Sequence, residues 1–335
     1  MNKLLTCCGL LLLVAMMGAC SIVPAETPQA NPADLPAELA STPTQLPPTV
    51  AVTPSPSPPA PTAIIIDTSK TGAESEYFPR SDRGEAWNPF LGGLTIIFIP
   101  EGEFLMGSPQ NSGGANYDEK PQRSVYLSGF YIDRTEVTNE QFATFLNVMG
   151  NQEQGRSTWL DAKSDYARIH EVDGIWQVDP GYELYPVVEV SWFGANSYCE
   201  WTGKRLPTEA EWEKAARGVD GRNYPWGDKI DCTLANFKGC AEEVAPVGSY
   251  PQGASPYGAL DMAGNAMEWA ADWYGEDYYK LDPVPDPLGP QEGNMRVMRG
   301  GSWLSMANFL RVALRDKQRP DDSGYINGFR CAFAP

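Results

Sequence analysis

Five short motifs, rich in glycine and aromatic residues, follow one another along the second half of the chain and constrain its fold more than any other feature. They are KRLPTEAEWEKAARG at 204–218, YPWGD at 224–228, DMAGNAMEW at 261–269, RGGSW at 299–303 and GFRC at 328–331. After the first motif hydrophobic periodicity is weak, and such long irregular stretches are functional, disordered, or held by ions and disulfides. The many tryptophans argue against disorder, so the motifs predict a folded, loop-rich domain.

The order and wording of these motifs resemble the formylglycine-generating enzyme family, also called the sulfatase-modifying factor domain. The resemblance covers residues 94–332. It implies an α+β fold, a loop-rich variant of the C-type lectin fold, in a single domain that we place at 91–335. It also implies an activity, because family enzymes oxidise a sulfatase cysteine to formylglycine with oxygen and a copper ion held by two thiolates.

Local patterns predict helices and strands in the first half of this domain. Each predicted helix begins after a residue that can cap it: Thr138 before 140–149, Ser191 before 192–202, and Thr208, with Glu211 as its capping-box partner, before a helix that ends at Gly218. Strands are expected at 94–100 and 103–107, around a turn at Gly102, and at 123–133, which is rich in β-forming residues and partly alternates. After residue 218 we expect mostly loop.

The first 90 residues have the composition of an export signal and a linker. A basic start, a short apolar run and small residues before Cys20 are typical of a secretory signal and too short for a membrane span. The residues before Cys20 also resemble a bacterial lipobox, which implies cleavage of 1–19 and lipidation of Cys20. Residues 20–90 are predicted to form a linker. Its first part is rich in Pro, Ala, Thr and Ser and has too few large apolar side chains to bury enough surface for folding. We therefore predict an exported, extracytoplasmic protein that is lipid-anchored to the bacterial cell membrane; an ordinary signal peptide with an incidental cysteine is the alternative.

The charge of the chain limits its partners. Its formal net charge is −18, from 43 acidic and 25 basic residues. Because phosphates would be repelled, this balance argues against nucleic acid as a partner. It is compatible with an exported domain that binds calcium.

Cys20 and four further cysteines remain after removal of the signal. An even number of cysteines in an exported domain predicts disulfides. Cys232 and Cys240 would close a short loop, and the resemblance implies a bond between Cys199 and Cys331. Buried free thiols are the alternative.

The DMAGNAMEW motif is the candidate metal site, because calcium prefers carboxylate and carbonyl oxygens presented by tight loops. The resemblance implies that its ligands are Asp261, Gly264, Ala266 and Glu268. A turn capped by Asp261 is the alternative. The resemblance also implies a second calcium site that begins at Asn236 and the Phe237 carbonyl, where Glu242 or Glu243 would replace ligands from a loop that is shorter here.

The catalytic position of the family lies in the segment 302–311, and no cysteine occurs there. Copper-dependent oxidation is therefore not expected, because Cu(I) needs soft thiolate ligands and Met306 is at most a lone, weak thioether. The flanking residues Arg311, Val312 and Arg315 do match the family pattern. The resemblance implies a groove lined by Ser302, Trp303, Asn308, Phe309, Arg311 and Arg315, whose arginines could instead pair with acidic residues of the domain itself.

These observations favour a lipid-anchored, non-catalytic module, stabilised by calcium, that binds an unknown protein, peptide or glycan. One alternative is an oxidase that uses the displaced thiols Cys232 and Cys240. Another is a display scaffold of the kind diversified by retroelements, with variable residues between the RGGSW and GFRC motifs. The chain has one histidine, His170, which excludes a three-histidine iron site, and no nucleophile-elbow motif accompanies it.

Overall fold

The computed structural model describes residues 85–88 and 94–335. The helices are α1 (Asn139–Met149), α2 (Trp192–Trp201) and α3 (Glu209–Arg217). The strands before α2 are β1 (Glu85–Asn88), β2 (Leu94–Ile99), β3 (Gly102–Met106), β4 (Arg123–Leu127), β5 (Phe130–Asp133), β6 (Glu153–Gln154), β7 (Ser157–Thr158), β8 (Ile169–Val172) and β9 (Ile175–Val178). Those after α3 are β10 (Met267–Trp273), β11 (Arg296–Arg299), β12 (Asp316–Gln318), β13 (Asn327–Gly328) and β14 (Ala332–Phe333).

The strands form two four-stranded sheets and three hairpins within the described ranges. The first sheet has the order β1-β2-β5-β14, so the last strand of the chain pairs with β5. The second has the order β12-β11-β10-β13, in which β10 and β13 are parallel. The hairpins are β3–β4, β6–β7 and β8–β9.

The predicted helix starts are confirmed. Thr138 and Thr208 are the N-caps of α1 and α3, and each forms a capping box with the residue three positions on. Ser191 caps α2 by accepting a hydrogen bond from the Gly194 N–H group. The boundaries follow the sequence because capping satisfies backbone groups that the first turn of any helix leaves unpaired.

Three strand predictions need correction. The stretch 123–133 is two strands, separated by Ser128 and Gly129, rather than one. β1 lies inside the segment predicted as linker, where it pairs with β2. The second sheet lies where mostly loop was expected; five of the seven residues of β10 are buried, which removes the alternation that marks a half-exposed strand.

Two apolar clusters make up most of the core. One packs α1 and α2 around Phe142, Phe145 and Tyr198 and includes the sulfur atoms of the disulfide between Cys199 and Cys331. The other packs α3 against the first sheet and the β3–β4 hairpin. The first disulfide spans 132 residues, so it ties α2 to the end of the chain.

A buried ion network connects α3 to the later motifs. Arg299 is fully buried and donates to Glu209 at 2.9 Å and also to Glu213. Arg315 donates to both carboxylate oxygens of Glu209, at 2.7 and 2.9 Å. Because unpaired buried charges are costly, this network holds 299–315 in one position on α3.

The predicted signal peptide, Cys20 and most of the predicted linker lie outside the described residues. Among the described residues, no helix is both long and apolar enough to cross a membrane.

Candidate functional site

The segment 302–311 forms a turn at the surface, where the family carries its thiols. Gly301 permits this path: its φ is +67°, and a Cβ there would come within 2.8 Å of the Phe309 carbonyl oxygen. Ser302 is buried, with its hydroxyl 3.3 Å from that of Ser305. Trp303 is half-buried and packs against Val188 and other core residues.

The most exposed part of this turn is apolar. Met306 and Phe309 are 54% and 41% exposed, and Leu304 is also exposed. Asn308 is exposed between them. An apolar surface of this kind, bordered by polar groups, is typical of an interaction site.

The two arginines of the predicted groove are held by carboxylates of the domain. Arg311 makes a bidentate pair with Glu119, at 2.6 and 2.7 Å. Burial raises the pKa of Glu119, but the hydrogen bonds and charge of Arg311, together with hydrogen bonds from Asn116 and Ser108, outweigh burial and lower the pKa below its ordinary value. Arg315 lies in the interior, paired with Glu209. Thus Trp303, Asn308 and Phe309 remain available to a ligand, whereas Arg315 and Ser302 belong to the interior.

A buried acidic cluster brings Asp261 and Glu268 together with Glu136, which was not predicted from the sequence. Glu268 accepts two hydrogen bonds from Arg330, both at 2.7 Å, and one from Trp212 at 2.9 Å. Asp261 accepts from the Gly248 N–H group at 2.6 Å. The Glu136 Oε2 atom is buried and has no hydrogen-bond partner among the described residues.

The pKa values of this cluster reflect a shortage of positive charge. Burial, and then the Asp261 carboxylate, raise the pKa of Glu136 well above its ordinary value. Burial also raises the pKa of Asp261. Glu136 gave no signal in the sequence, since nothing in its neighbourhood indicates that it reaches residues more than 120 positions away.

The second predicted calcium site is arranged differently. Asn236 is buried; its Nδ2 donates to the Glu243 carbonyl oxygen at 2.9 Å, and its Oδ1 has no hydrogen-bond partner among the described residues. The Phe237 carbonyl accepts from the Cys240 N–H group at 2.9 Å. The Glu243 carboxylate pairs with Arg168 at 3.1 Å. Asn236 Oδ1 is therefore the one buried oxygen of this group without a hydrogen bond among the described residues, and Glu242 lies at the surface.

Within the described residues, no three His, Cys, Asp or Glu side chains are grouped so that they could hold a metal ion by themselves. A calcium ion bound at residues 261–268 would therefore depend on backbone carbonyls as well as on carboxylates.

Both predicted disulfides are confirmed. Cys199 is bonded to Cys331 in the core, and Cys232 to Cys240 at the surface. The four cysteines of the described ranges are therefore paired with one another. An oxidase with displaced thiols would need Cys232 and Cys240 as thiolates, and here they are bonded to each other.

Comparison with known proteins identifies the family. The sulfatase-modifying factor enzyme 1-like domain matches residues 92–335. The formylglycine-generating enzyme of Streptomyces coelicolor is 37% identical over 299 residues, which cover 76% of this chain and 90% of that enzyme. The chain belongs to the formylglycine-generating enzyme family.

Two further matches are a solved structure and a longer protein. The structure of PvdO from Pseudomonas aeruginosa matches with a TM-score of 0.60 and 25% identity, covering 72% of this chain and 95% of that one. This match confirms the predicted fold. The serine/threonine-protein kinase Pkn1 of Chlamydia trachomatis is 45% identical over 240 residues, 71% of this chain. The chain spans only 38% of that kinase, so in that protein the family domain is one part of a larger chain.

Proposed function

We propose that this domain binds a protein or peptide ligand at the turn 302–311 and does not carry out the oxidation of its family. The observation that carries the proposal is the exposed apolar surface of Leu304, Met306 and Phe309 at the position of the family's thiols. The buried ion network keeps the family scaffold beneath this surface, with Arg299 and Arg315 held on α3. Such a scaffold presents side chains rigidly, which lowers the entropic cost of binding.

Copper does not fit this site. Two thiolates would be needed to hold Cu(I), and the segment 302–311 has Met306 as its single sulfur. The four described cysteines are bonded in pairs. No step of the proposed function therefore depends on copper.

The buried acidic cluster around residues 261–268 supports a proposed calcium site. Three buried carboxyls, Glu136, Asp261 and Glu268, share one strong cationic partner, Arg330. The unpartnered Oε2 of Glu136 adds an oxygen beside Asp261. A calcium ion held by Asp261, Glu268 and the Gly264 and Ala266 carbonyls would supply the missing positive charge and make the DMAGNAMEW loop rigid.

We further propose that the domain is exported and held at the membrane by a lipid on Cys20. The two disulfides support an oxidising compartment. The Pro-rich segment after Cys20 would hold the domain away from the lipid surface. A family domain that forms part of a larger chlamydial kinase is compatible with a binding role.

The decisive experiment is a direct activity test. Purified full-length protein is incubated with copper, oxygen, a reductant and a peptide that carries the sulfatase motif Cys-x-Pro-x-Arg, and the peptide is analysed by mass spectrometry beside an active family enzyme. We expect no conversion. Formation of formylglycine would overturn the non-catalytic proposal.

The binding role is tested separately by cross-linking the protein in its native membrane. Phe309→Ala should abolish a specific cross-linked product. Val172→Ala is the matched control, since Val172 is an exposed apolar residue on the separate β8–β9 hairpin. Identical products from the wild type and both variants would refute the turn 302–311 as the binding surface.

A further inference from the structure

Three aromatic side chains from distant parts of the sequence meet at the surface beside the turn 302–311. The rings of Tyr166 and Tyr325 are stacked, with centroids 4.6 Å apart, and both are well exposed, at 47% and 39%. Trp303 contacts the Tyr325 ring edge-on, with centroids 6.4 Å apart. We call these three residues the aromatic platform. Exposed stacked rings of this kind are used for contact with ligands, because they offer large rigid surfaces at little entropic cost.

A strained acidic residue is connected by hydrogen bonds to the segments that carry this platform. Glu189 is only 5% exposed and has a φ of +62°, which is uncommon for any residue other than glycine. The Ser164 hydroxyl donates to its carboxylate at 2.6 Å and accepts from the Tyr166 N–H group at 3.2 Å. The Glu189 N–H group donates to the carbonyl oxygen of Gly324, the residue before Tyr325. Strained backbone of this type clusters at binding sites.

The carboxylate of Glu189 lacks a cationic partner. Among the described residues, no lysine, arginine or histidine forms an ion pair with Glu189 or with its neighbour Asp161. Burial, and then the charge of Asp161, raise the pKa of Glu189. A buried carboxylate without a counter-charge is costly unless a ligand provides one.

The domain uses the same chemistry internally at a nearby position. The Arg168 guanidinium lies 4.2 Å from the centre of the Tyr182 ring and 3.1 Å from the Glu243 carboxylate. There, an aromatic face and a carboxylate bind a cation that the chain itself supplies. At Tyr166, Tyr325 and Glu189 the aromatic faces and the carboxylate are present, and no cation of the described chain is paired with them.

We propose that the aromatic platform and Glu189 bind a lysine or arginine side chain of a protein partner. This inference deepens the proposed function and rests on it. The net charge of −18 would attract such a partner. A neutral glycan could stack on the rings, but it would leave the Glu189 carboxylate without a counter-charge.

The test uses the full-length protein and immobilised heptapeptides that differ at one position. The central residue is arginine, lysine, norleucine or glutamate, in an otherwise identical Gly-Ser sequence, and binding is measured by interferometry at physiological ionic strength. The wild type should bind the arginine and lysine peptides roughly tenfold more tightly than the norleucine peptide. Glu189→Gln, which keeps an acceptor for Ser164, should remove most of this preference, and Tyr325→Ala should weaken binding of both cationic peptides.

The matched control is Glu171→Gln, which removes one carboxylate from an exposed position of β8. Equal loss of binding in Glu171→Gln and Glu189→Gln would mean general attraction to an acidic surface, and would overturn the inference. So would a wild type that binds none of the peptides, or that binds the norleucine peptide equally well. If the wild type binds the norleucine peptide equally well, and Phe309→Ala loses that binding, the inference fails but the proposed function is still supported. Conversion of the sulfatase peptide would instead overturn the proposed function.

Discussion

The two disulfides should differ in their contribution to stability, because they close loops of very different length. The bond between Cys199 and Cys331 spans 132 residues, and that between Cys232 and Cys240 spans 8. Loop-closure entropy of the unfolded chain then predicts losses of about 5 kcal/mol and about 2.6 kcal/mol when each pair is replaced by alanine. The first pair is also fully buried, so its replacement leaves a cavity in the core and adds to the loss.

The measurement is guanidinium-induced unfolding of the two double variants and the wild type, followed by tryptophan fluorescence. We expect the Cys199→Ala/Cys331→Ala variant to lose at least 2 kcal/mol more than Cys232→Ala/Cys240→Ala, as worked from the two loop lengths. Under mild reductant the exposed bond of Cys232 should break first, because the other pair is inaccessible. Equal losses, or a larger loss for the short loop, would refute the reasoning.

Three further predictions concern buried charge. Burial, and then the Glu209 charge, raise the pKa of Asp272 to about 8. The contribution of Asp272 to stability is therefore complete below about pH 4 and is lost as the pH rises through 8. Between these pH values, the free energy of unfolding of Asp272→Asn should rise relative to that of the wild type by up to about 1.4 kcal/mol per pH unit. A constant difference between the two in urea unfolding from pH 5 to 8 would contradict this. Arg315→Met should lower the free energy of unfolding by about 3–5 kcal/mol, because it removes the bidentate partner of the buried Glu209. Arg222→Met, which removes an ion pair with the half-exposed Asp220, should lower it by under about 1 kcal/mol. Similar losses for the two variants in denaturant unfolding would argue against the network. Calcium at 100 times its Kd should raise the free energy of unfolding of the wild type by about 2.7 kcal/mol. This gain should vanish in Asp261→Ala and persist in the control Asp277→Ala, whose side chain is exposed. The site would be refuted if the wild type unfolded at the same temperature with calcium and with a chelator.

Much of the first half of the domain could be predicted from the sequence. Thr138, Ser191 and Thr208 start their helices because an N-cap interaction involves residues only three positions apart. The pairing of Cys199 with Cys331 came from the family resemblance, since nothing in the spacing of four cysteines selects one pairing.

The second half could not be predicted in the same way. β11, β12 and β13 have at most four residues each, and the longer β10 is buried on both faces, so β11 to β13 lack the length and β10 lacks the alternation that would mark a strand. Their pairing depends on partners that come from segments far apart in sequence. The same limit applies to the candidate site, because Glu136, Tyr166 and Glu189 acquire their roles from neighbours on other elements.

The sequence by itself determined the helix starts and the absence of thiols at 302–311, because each of these depends on residue identity or on contacts within one turn. The family and the pairing of Cys199 with Cys331 followed from the resemblance of the motifs to known proteins. Only the tertiary structure decided which charged residues are paired within the domain and which can bind a ligand. It paired Arg315 with Glu209 inside the domain and Arg311 with Glu119. It left the Glu189 carboxylate, which is hydrogen-bonded to Ser164, without a cation among the described residues. Burial and pairing of charges depend on the packing of the whole chain. Whether a buried carboxylate has a cationic partner is decided by residues that lie far from it in the sequence.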